Sequence, residues 1–315
     1  MKRRVAFVFP GQGSQSVGMG RAWAQEHPVA RRAFAEADEL LGLSLADLCW
    51  QGPEEELQLT ANTQPALLAT SVAILRVLQE EGIEPVAVAG HSLGEYSALV
   101  ASGCLEYGEA LRLVRRRGKA MQEAVPVGQG SMAAILGLEA REVLEATAQA
   151  SGDEVCTVAN YNAPGQIVVA GHTRAVEHAV ELCQQRGARR AVMLPVSAPF
   201  HCPLMAPARE SLTPFLEQAT FADPAVPVVC NIDAEPVRTG DQARDALRRQ
   251  IDGPVRWDES VAWMAAAERT ELFVEVGPGK VLTGLNRRIT PEIKTISLSE
   301  PEGLQKLMER LTESR

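Results

Sequence analysis

An apolar segment at residues 86–89 runs directly into the motif G-H-S-L-G at residues 90–94, and helical periodicity follows at residues 95–101. A short, continuously apolar segment is typical of a strand that is buried on both faces of a parallel sheet. The G-x-S-x-G spacing is typical of the sharp strand-to-helix turn that raises a serine hydroxyl above the sheet edge. This junction therefore predicts a parallel α/β architecture with Ser92 as a candidate nucleophile.

The same alternation of apolar segments and helical patterns continues in both halves of the chain. Further strands are predicted at residues 5–9, 226–230 and 272–276, and helices at residues 66–81, 109–124, 204–218, 241–251, 258–267 and 302–313. Strands that alternate with helices in this way predict a parallel sheet covered by helices.

The middle of the chain follows a different order of elements. Strands are predicted at residues 132–136, 155–161, 167–170 and 191–196, and helices at residues 140–150 and 173–186. This βαββαβ order is typical of a ferredoxin-like unit. We therefore predict a ferredoxin-like small domain at residues 128–197, inserted into an α/β catalytic domain made of residues 1–127 and 198–315.

Composition excludes several classes of protein. The 315 residues include 40 Asp and Glu against 31 Lys and Arg, and this net charge of −9 disfavours nucleic acid as a ligand. The most apolar stretch, at residues 66–75, is too short to cross a membrane, and the N-terminus resembles no secretory leader. The six cysteines form no C-x-x-C pair. We expect a cytoplasmic enzyme with no nucleic-acid or membrane partner and no metal.

A serine nucleophile needs a base, and the chain contains five histidines. His201 is the best candidate by elimination, because it is held between prolines where the chain re-enters the larger domain. A structural loop histidine remains the alternative. Most carboxylates between Ser92 and His201 lie on predicted helices or in the inserted domain, and no Asp stands at a strand end there, so a backbone or amide oxygen is expected to orient the histidine.

Two glycine-containing loops suggest nucleotide sites but lack the required residues. The loop after the first strand has Ser16 where a dinucleotide fingerprint needs glycine, and the loop at residues 277–280 has Val281 where a phosphate loop needs serine or threonine. We therefore predict no bound cofactor, and expect Gln12 to supply a backbone N–H at the end of the first strand.

The helix predicted at residues 109–124 carries four arginines. At about 100° per residue, Arg112 and Arg116 lie opposite the apolar stripe, whereas Arg115 and Arg117 flank it and could reach inward. Met121 follows Arg117 by one turn and is suited to a pocket wall. Surface solubility is the alternative role for each arginine.

Together these segments resemble the malonyl-CoA:acyl-carrier-protein transacylases, a family of acyltransferases in fatty-acid and polyketide synthesis. The resemblance is carried by F-P-G-Q-G-S-Q at 9–15, T-Q-P-A at 63–66, G-H-S-L-G-E-Y-S at 90–97, R-G-K at 117–119, N-A-P-G-Q at 162–166, S-A-P-F-H-C at 197–202 and E-V-G-P-G-K at 275–280. It implies an α/β-hydrolase-like body with a ferredoxin-like insert.

The resemblance also implies a role for each matching residue. Ser92 would carry the acyl group and His201 would be its base. The backbone N–H groups of Gln12 and Leu93 would form the oxyanion hole, and Arg117 would bind the malonyl carboxylate. The backbone carbonyl of Gln250 would orient His201, and further residues would line the cleft: Met121, Asn162, Gln166, Phe200 and Asn231.

The implied reaction is ping-pong transfer of malonyl from malonyl-CoA to the phosphopantetheine thiol of acyl carrier protein, by a monomer. Phe200 stands where many free-standing members carry serine, and in related polyketide acyltransferases phenylalanine there accompanies malonyl choice. A polyketide-pathway acyltransferase therefore stays open beside a fatty-acid one. A serine hydrolase and a non-catalytic scaffold are the remaining alternatives.

Overall fold

The computed structural model describes residues 3–196 and 198–312. Its strands are β1 (Val5–Phe9), β2 (Ala87–Gly90), β3 (Gly130–Leu136), β4 (Cys156–Ala163), β5 (Gln166–His172), β6 (Arg190–Met193), β7 (Val228–Val229), β8 (Pro236–Val237), β9 (Val255–Arg256), β10 (Leu272–Glu275) and β11 (Lys294–Ser297).

Helices surround these strands. They are α1 (Arg21–Glu26), α2 (Pro28–Leu41), α3 (Leu45–Gln51), α4 (Glu54–Gln58), α5 (Thr60–Glu80), α6 (Gly94–Ala101), α7 (Tyr107–Glu123), α8 (Ala140–Ser151), α9 (Thr173–Gln185), α10 (Ala206–Gln218), α11 (Gly240–Gln250), α12 (Trp257–Ala267), α13 (Val281–Ile289) and α14 (Glu302–Thr312). Within the described residues, none of these helices is both long and apolar enough to cross a membrane.

The larger sheet has the order β11-β10-β1-β2-β7-β8, and its first five strands are parallel. All five residues of β1 are buried, as expected for a central strand with helices on both faces. β8 pairs antiparallel with β7 at one edge. The predicted α/β body is confirmed.

The second sheet has the order β6-β3-β5-β4-β9. Its first four strands are antiparallel neighbours and, with α8 and α9, follow the predicted βαββαβ order. They enclose a hydrophobic core of their own, formed by side chains from residues 133–193. The domain boundaries at 127/128 and 197/198 stay a prediction, and Ser197 lies outside the described residues.

The fifth strand of the second sheet was not predicted. β9 comes from the larger body and pairs parallel with β4, which would otherwise expose an unpaired edge. A two-residue strand carries no periodicity, so its sequence gives no signal. The strand predicted at residues 226–230 is shorter than expected in the larger sheet, because only Val228 and Val229 pair with the neighbouring strands β2 and β8.

The close approach of α7 to α5 positions the site. A Cβ atom at Gly118 would lie 2.6 Å from the backbone oxygen of Thr60, so the two helices can meet here only at glycine. The preceding residue of α7, Arg117, consequently points into the interior and reaches Gln64 on α5. The packing of two helices thus brings a cation beneath the end of β2.

Candidate active site

Ser92 sits on the tight turn between β2 and α6. Its backbone φ is 52°, a region that residues other than glycine rarely adopt. Glycines on both sides permit the turn, since a Cβ at Gly90 would lie 1.9 Å from the Gly94 backbone and a Cβ at Gly94 would lie 2.1 Å from Phe9 O. The local strain presents the Ser92 hydroxyl at the carboxyl end of the sheet.

Ser92 Oγ lies 2.6 Å from His201 Nε2. His201 Nδ1 lies 3.0 Å from the backbone oxygen of Gln250. Because a carbonyl can only accept, Nδ1 carries the hydrogen and the Nε2 lone pair faces the serine. Burial and the nearby Arg117 charge lower the pKa of His201 to about 3, so the imidazole is neutral and its Nε2 lone pair is available as an acceptor.

Arg117 is 1% exposed and lies beside the nucleophile. Its Nη2 donates to Ser92 Oγ at 3.2 Å and to Gln250 Oε1 at 2.8 Å, and its Nη1 donates to Gln64 Oε1 at 3.0 Å. The guanidinium carbon also lies 5.7 Å from the centre of the Tyr96 ring. Burial lowers the pKa of Arg117, but a guanidinium stays charged in proteins. A buried cation here contacts neutral acceptors.

A polar network supports the turn from below. Asn231 Oδ1 accepts the Ser92 backbone N–H at 2.7 Å, and Asn231 Nδ2 donates to Gly90 O at 2.7 Å. The backbone N–H of Asn231 donates to Glu95 Oε2 at 2.8 Å, and Gln250 Nε2 donates to the same oxygen at 2.9 Å. Burial raises the pKa of Glu95 to about 7. The network fixes the turn to the loop after β7.

Ser92 faces a cavity of about 700 Å³ between the two sheets. Of the residues expected to line a cleft, Met121, Asn162, Gln166 and Phe200 do so, and Asn231 lies beneath the turn instead. Gln12 and Leu93 also border the cavity. Among the described residues, no group of three or more His, Cys, Asp or Glu side chains is arranged to hold a metal ion.

Comparison with known proteins decides the family. The family model described as the acyl transferase domain matches residues 6–298. The chain belongs to the acyl transferase family. This acyl transferase is 51% identical over 305 residues to the malonyl CoA-acyl carrier protein transacylase of Escherichia coli (strain K12), covering 96% of the chain and 98% of that relative.

Two solved structures extend the similarity of this acyl transferase. An acyl carrier protein S-malonyltransferase from Vibrio cholerae superposes with a TM-score of 0.94 at 48% identity, over 96% of this chain and 99% of that one. A malonyl-transacylase solved in complex with a type II PKS acyl-carrier protein superposes with a TM-score of 0.95 at 46% identity, over 98% and 99%.

The fold brings together residues that are far apart in the acyl transferase sequence. Ser92, His201, Arg117 and Gln250 meet at one end of the cavity. The other arginines of α7 behave as the helical geometry predicts, because Arg112 and Arg116 are exposed. Arg115 turns inward only as far as the backbone of residue 61 and the side chain of residue 62.

Sequence reasoning assigned no role to the side chains of Gln64, Glu95 and Gln250. Each of them is at most 2% exposed and contacts Arg117 directly or through one intermediate. A signal was available for two of them, since Gln64 and Glu95 stand in apolar helical segments where a polar side chain needs a buried partner. The identity of that partner required the structure.

Proposed function

We propose that this acyl transferase moves the malonyl group from malonyl-CoA to the phosphopantetheine thiol of acyl carrier protein, through a malonyl ester on Ser92. The observation that carries the proposal is the buried Arg117 guanidinium, 3.2 Å from Ser92 Oγ and bordering the 700 Å³ cavity. A buried cation that contacts neutral acceptors favours an acyl group with its own carboxylate.

In the first half-reaction, His201 Nε2 accepts the Ser92 hydroxyl proton while Oγ attacks the thioester carbonyl carbon. The negative charge that develops on the carbonyl oxygen is held by the backbone N–H groups of Gln12 and Leu93, each worth about 3 kcal/mol. The tetrahedral intermediate collapses, the carbon–sulfur bond breaks, and coenzyme A leaves with the proton from His201. The Gln250 carbonyl stabilises the transient imidazolium through Nδ1–H.

In the second half-reaction the same groups act in reverse. His201 Nε2 takes the proton of the phosphopantetheine thiol, and the thiolate attacks the malonyl ester carbonyl. The ester bond to Ser92 Oγ breaks, and Oγ recovers the proton from His201. One thioester replaces another, so the overall reaction is nearly isoenergetic and needs no ATP.

Selection of malonyl over acetyl follows from the charge of the acyl group. A malonyl carboxylate pairs with Arg117 in a bidentate, charge-assisted contact. An acetyl group leaves the buried guanidinium on neutral acceptors, at a cost on the order of 3 kcal/mol. At 1.36 kcal/mol per tenfold change in rate, this amounts to about a hundredfold preference. The remaining cavity residues Met121, Asn162, Gln166 and Phe200 shape the wall around the acyl chain.

The wider setting forms part of the same proposal. We place the reaction in the cytoplasm, catalysed by a monomer without a bound cofactor, with acyl carrier protein as its macromolecular partner. The net charge of −9 supports the absence of a nucleic-acid partner. The catalytic domain comprises residues 1–127 and 198–315, and the small domain of residues 128–197 supplies the opposite wall of the cavity. Both fatty-acid and polyketide chain extension are compatible with this activity.

The deciding experiment is intact-mass measurement after incubation with malonyl-CoA. The wild-type chain should gain one malonyl group and lose it to holo acyl carrier protein, and Ser92→Ala should gain none. Rapid release of free malonate without carrier protein would support a serine hydrolase instead. A wild-type chain that gains no adduct would support a non-catalytic scaffold.

A further inference from the structure

Glu95 is a buried carboxylate that the proposed mechanism does not use. It is 1% exposed and lies in the first turn of α6, one turn after the nucleophile. Its Oε2 atom accepts from the Asn231 backbone and from Gln250 Nε2, at 2.8 and 2.9 Å. A carboxylate enclosed in this way is costly to keep ionised unless a compensating charge lies near.

The compensating charge is Arg117, one amide group away. Gln250 Oε1 accepts from Arg117 Nη2 at 2.8 Å while Gln250 Nε2 donates to Glu95. The amide is therefore oriented at both ends, with its oxygen toward the cation and its nitrogen toward the carboxylate. The Arg117 charge in turn favours the ionised form of Glu95.

We infer that Glu95 is a positioning residue that balances the charge of Arg117 through the Gln250 amide, and that it takes up a proton when the malonyl carboxylate binds to Arg117. The inference rests on the proposed function, because it needs a second anion at the guanidinium. That anion neutralises Arg117, and Glu95 then loses the cation that stabilised its ionised form. The proton comes from solvent and resides on Oε1, because Oε2 already accepts two N–H groups.

Other titratable groups around Glu95 cannot produce the same signal. Tyr96 and Cys230 have pKa values raised by burial, so both already hold their protons at neutral pH. Asp233 is paired with Arg249, which lowers the pKa of Asp233. The pKa values of His91 and His201 are lowered by burial, so any proton they take up on binding must increase toward acidic pH.

Proton uptake during acylation tests the inference. The full chain is mixed with malonyl-CoA without carrier protein in weakly buffered solution containing a pH indicator, and the malonyl adduct is quantified by intact mass. A carboxyl group with a pKa of about 7 is half protonated at pH 7, so we expect uptake of up to about half a proton per adduct. The uptake should vanish toward pH 5, where Glu95 is already protonated.

Two variants sharpen the test. Glu95→Gln keeps an oxygen acceptor and removes the charge, so it should form the adduct without the neutral-pH uptake. Asp233→Asn removes the charge of the other carboxylate near Glu95, which slightly lowers the pKa of Glu95, and this variant should still take up protons on acylation. An adduct that forms in the wild type without uptake at pH 7, or with uptake that grows toward pH 5, overturns the inference and leaves the proposed function intact. Absence of any adduct would contradict the proposed function itself.

If Glu95→Gln does not fold, the pH dependence of uptake in the wild-type chain still decides the inference, because carboxyl and histidine sources change in opposite directions with pH.

Discussion

Arg117 Nη2 donates to Ser92 Oγ at 3.2 Å, so the group proposed to select the acyl chain also touches the nucleophile. A carboxylate that draws the guanidinium into a bidentate pair would compete with this contact. Without the Arg117 hydrogen bond, a lone pair of Ser92 Oγ is free to attack the carbonyl carbon. His201 Nε2 keeps its contact with Ser92 Oγ at 2.6 Å. We therefore expect substrate recognition and activation of the serine to be coupled through Arg117.

Replacement of Arg117 should change the preference for malonyl-CoA over acetyl-CoA. We expect Arg117→Ala to lower kcat/KM for malonyl-CoA about a hundredfold, because the charge-assisted pair is lost, while acetyl-CoA improves relative to it. Steady-state transfer to holo acyl carrier protein from both donors measures the ratio. Arg117→Lys is the matched control, since it keeps the charge but loses the planar, two-pronged guanidinium. Its kcat/KM ratio for malonyl-CoA over acetyl-CoA should lie between those of the wild type and Arg117→Ala. An unchanged ratio in Arg117→Ala would exclude the carboxylate-binding role.

The acidic side of the pH profile should reflect the lowered pKa of His201. Burial and Arg117 lower that pKa to about 3, so the imidazole remains a neutral base throughout the range from pH 6 to 5. An ordinary histidine, with a pKa of about 6.5, would lose its base form about eightfold over the same interval. We expect the single-turnover rate of Ser92 acylation at saturating malonyl-CoA to change less than twofold, as measured by quenched-flow mass analysis. An eightfold fall would place the pKa of the base near its ordinary value.

Glu95 should make stability depend on pH in a defined direction. Its pKa is about 7 in the folded chain against 4.5 as its ordinary value, so the folded state holds more protons than the unfolded chain between these limits. Stability from this group is therefore present at low pH and is lost as the pH rises toward 7. Between pH 5 and 8 the loss is on the order of 2–3 kcal/mol. Urea unfolding of Glu95→Gln should lack this loss, and equal pH dependence in both proteins would contradict the assignment.

Replacing Asn231 should lower the free energy of unfolding more than replacing Asn162, an asparagine in the cavity wall. Its side chain satisfies the Ser92 N–H and the Gly90 carbonyl, both at 2.7 Å, and Asn231→Ala leaves both groups without that partner. We expect a loss on the order of 2–4 kcal/mol in the free energy of unfolding. Asn162→Ala is the comparison, because among the described residues its side chain hydrogen-bonds only to the His91 ring and its loss should cost about 1 kcal/mol. Similar losses in the two variants would refute the supporting role of Asn231.

The turn should not tolerate a methyl group at Gly94. A Cβ there would lie 2.1 Å from Phe9 O, a backbone atom in the central strand that cannot move aside. We expect Gly94→Ala to lose soluble folded protein or at least about 3 kcal/mol of stability. Gly284→Ala is the matched control, because the same addition at this exposed position of α13 meets no atom within 4 Å and should stabilise the chain by up to about 1 kcal/mol. A folded, fully active Gly94→Ala would show that the turn can relax.

Much of the fold could be predicted because its signals are local. The buried segment of β1, the motif that follows β2 and the stripe of α7 each lie within a short window of sequence. The exposed positions of Arg112 and Arg116 follow from helical geometry. Helical geometry left Arg115 and Arg117 equally able to reach inward, and only the structure shows that Arg117 is the buried one. Strand β9 could not be predicted, because two residues pair with an edge that is formed nearly a hundred positions earlier.

The sequence predicted candidate site residues but not the hydrogen bonds between their buried side chains. Spacing and resemblance predicted Ser92, His201 and Arg117 as site residues, and the fold brings these three side chains together. The side-chain amide of Gln250, which joins Arg117 to Glu95, lies 155 positions from Glu95 in sequence. No local pattern encodes such a contact, since it depends on how α7, α11 and the turn after β2 converge. Burial of polar side chains indicates that partners exist, and only the three-dimensional arrangement identifies them.

The oxygen that orients His201 belongs to the main chain, at 3.0 Å from Nδ1. Every amino acid carries this oxygen, so a substitution at residue 250 keeps the acceptor that holds the hydrogen on His201 Nδ1. The same substitution would remove the amide that contacts Arg117. A substitution at residue 250 thus separates two properties of the site, because it changes what surrounds the guanidinium and keeps the acceptor for the imidazole N–H.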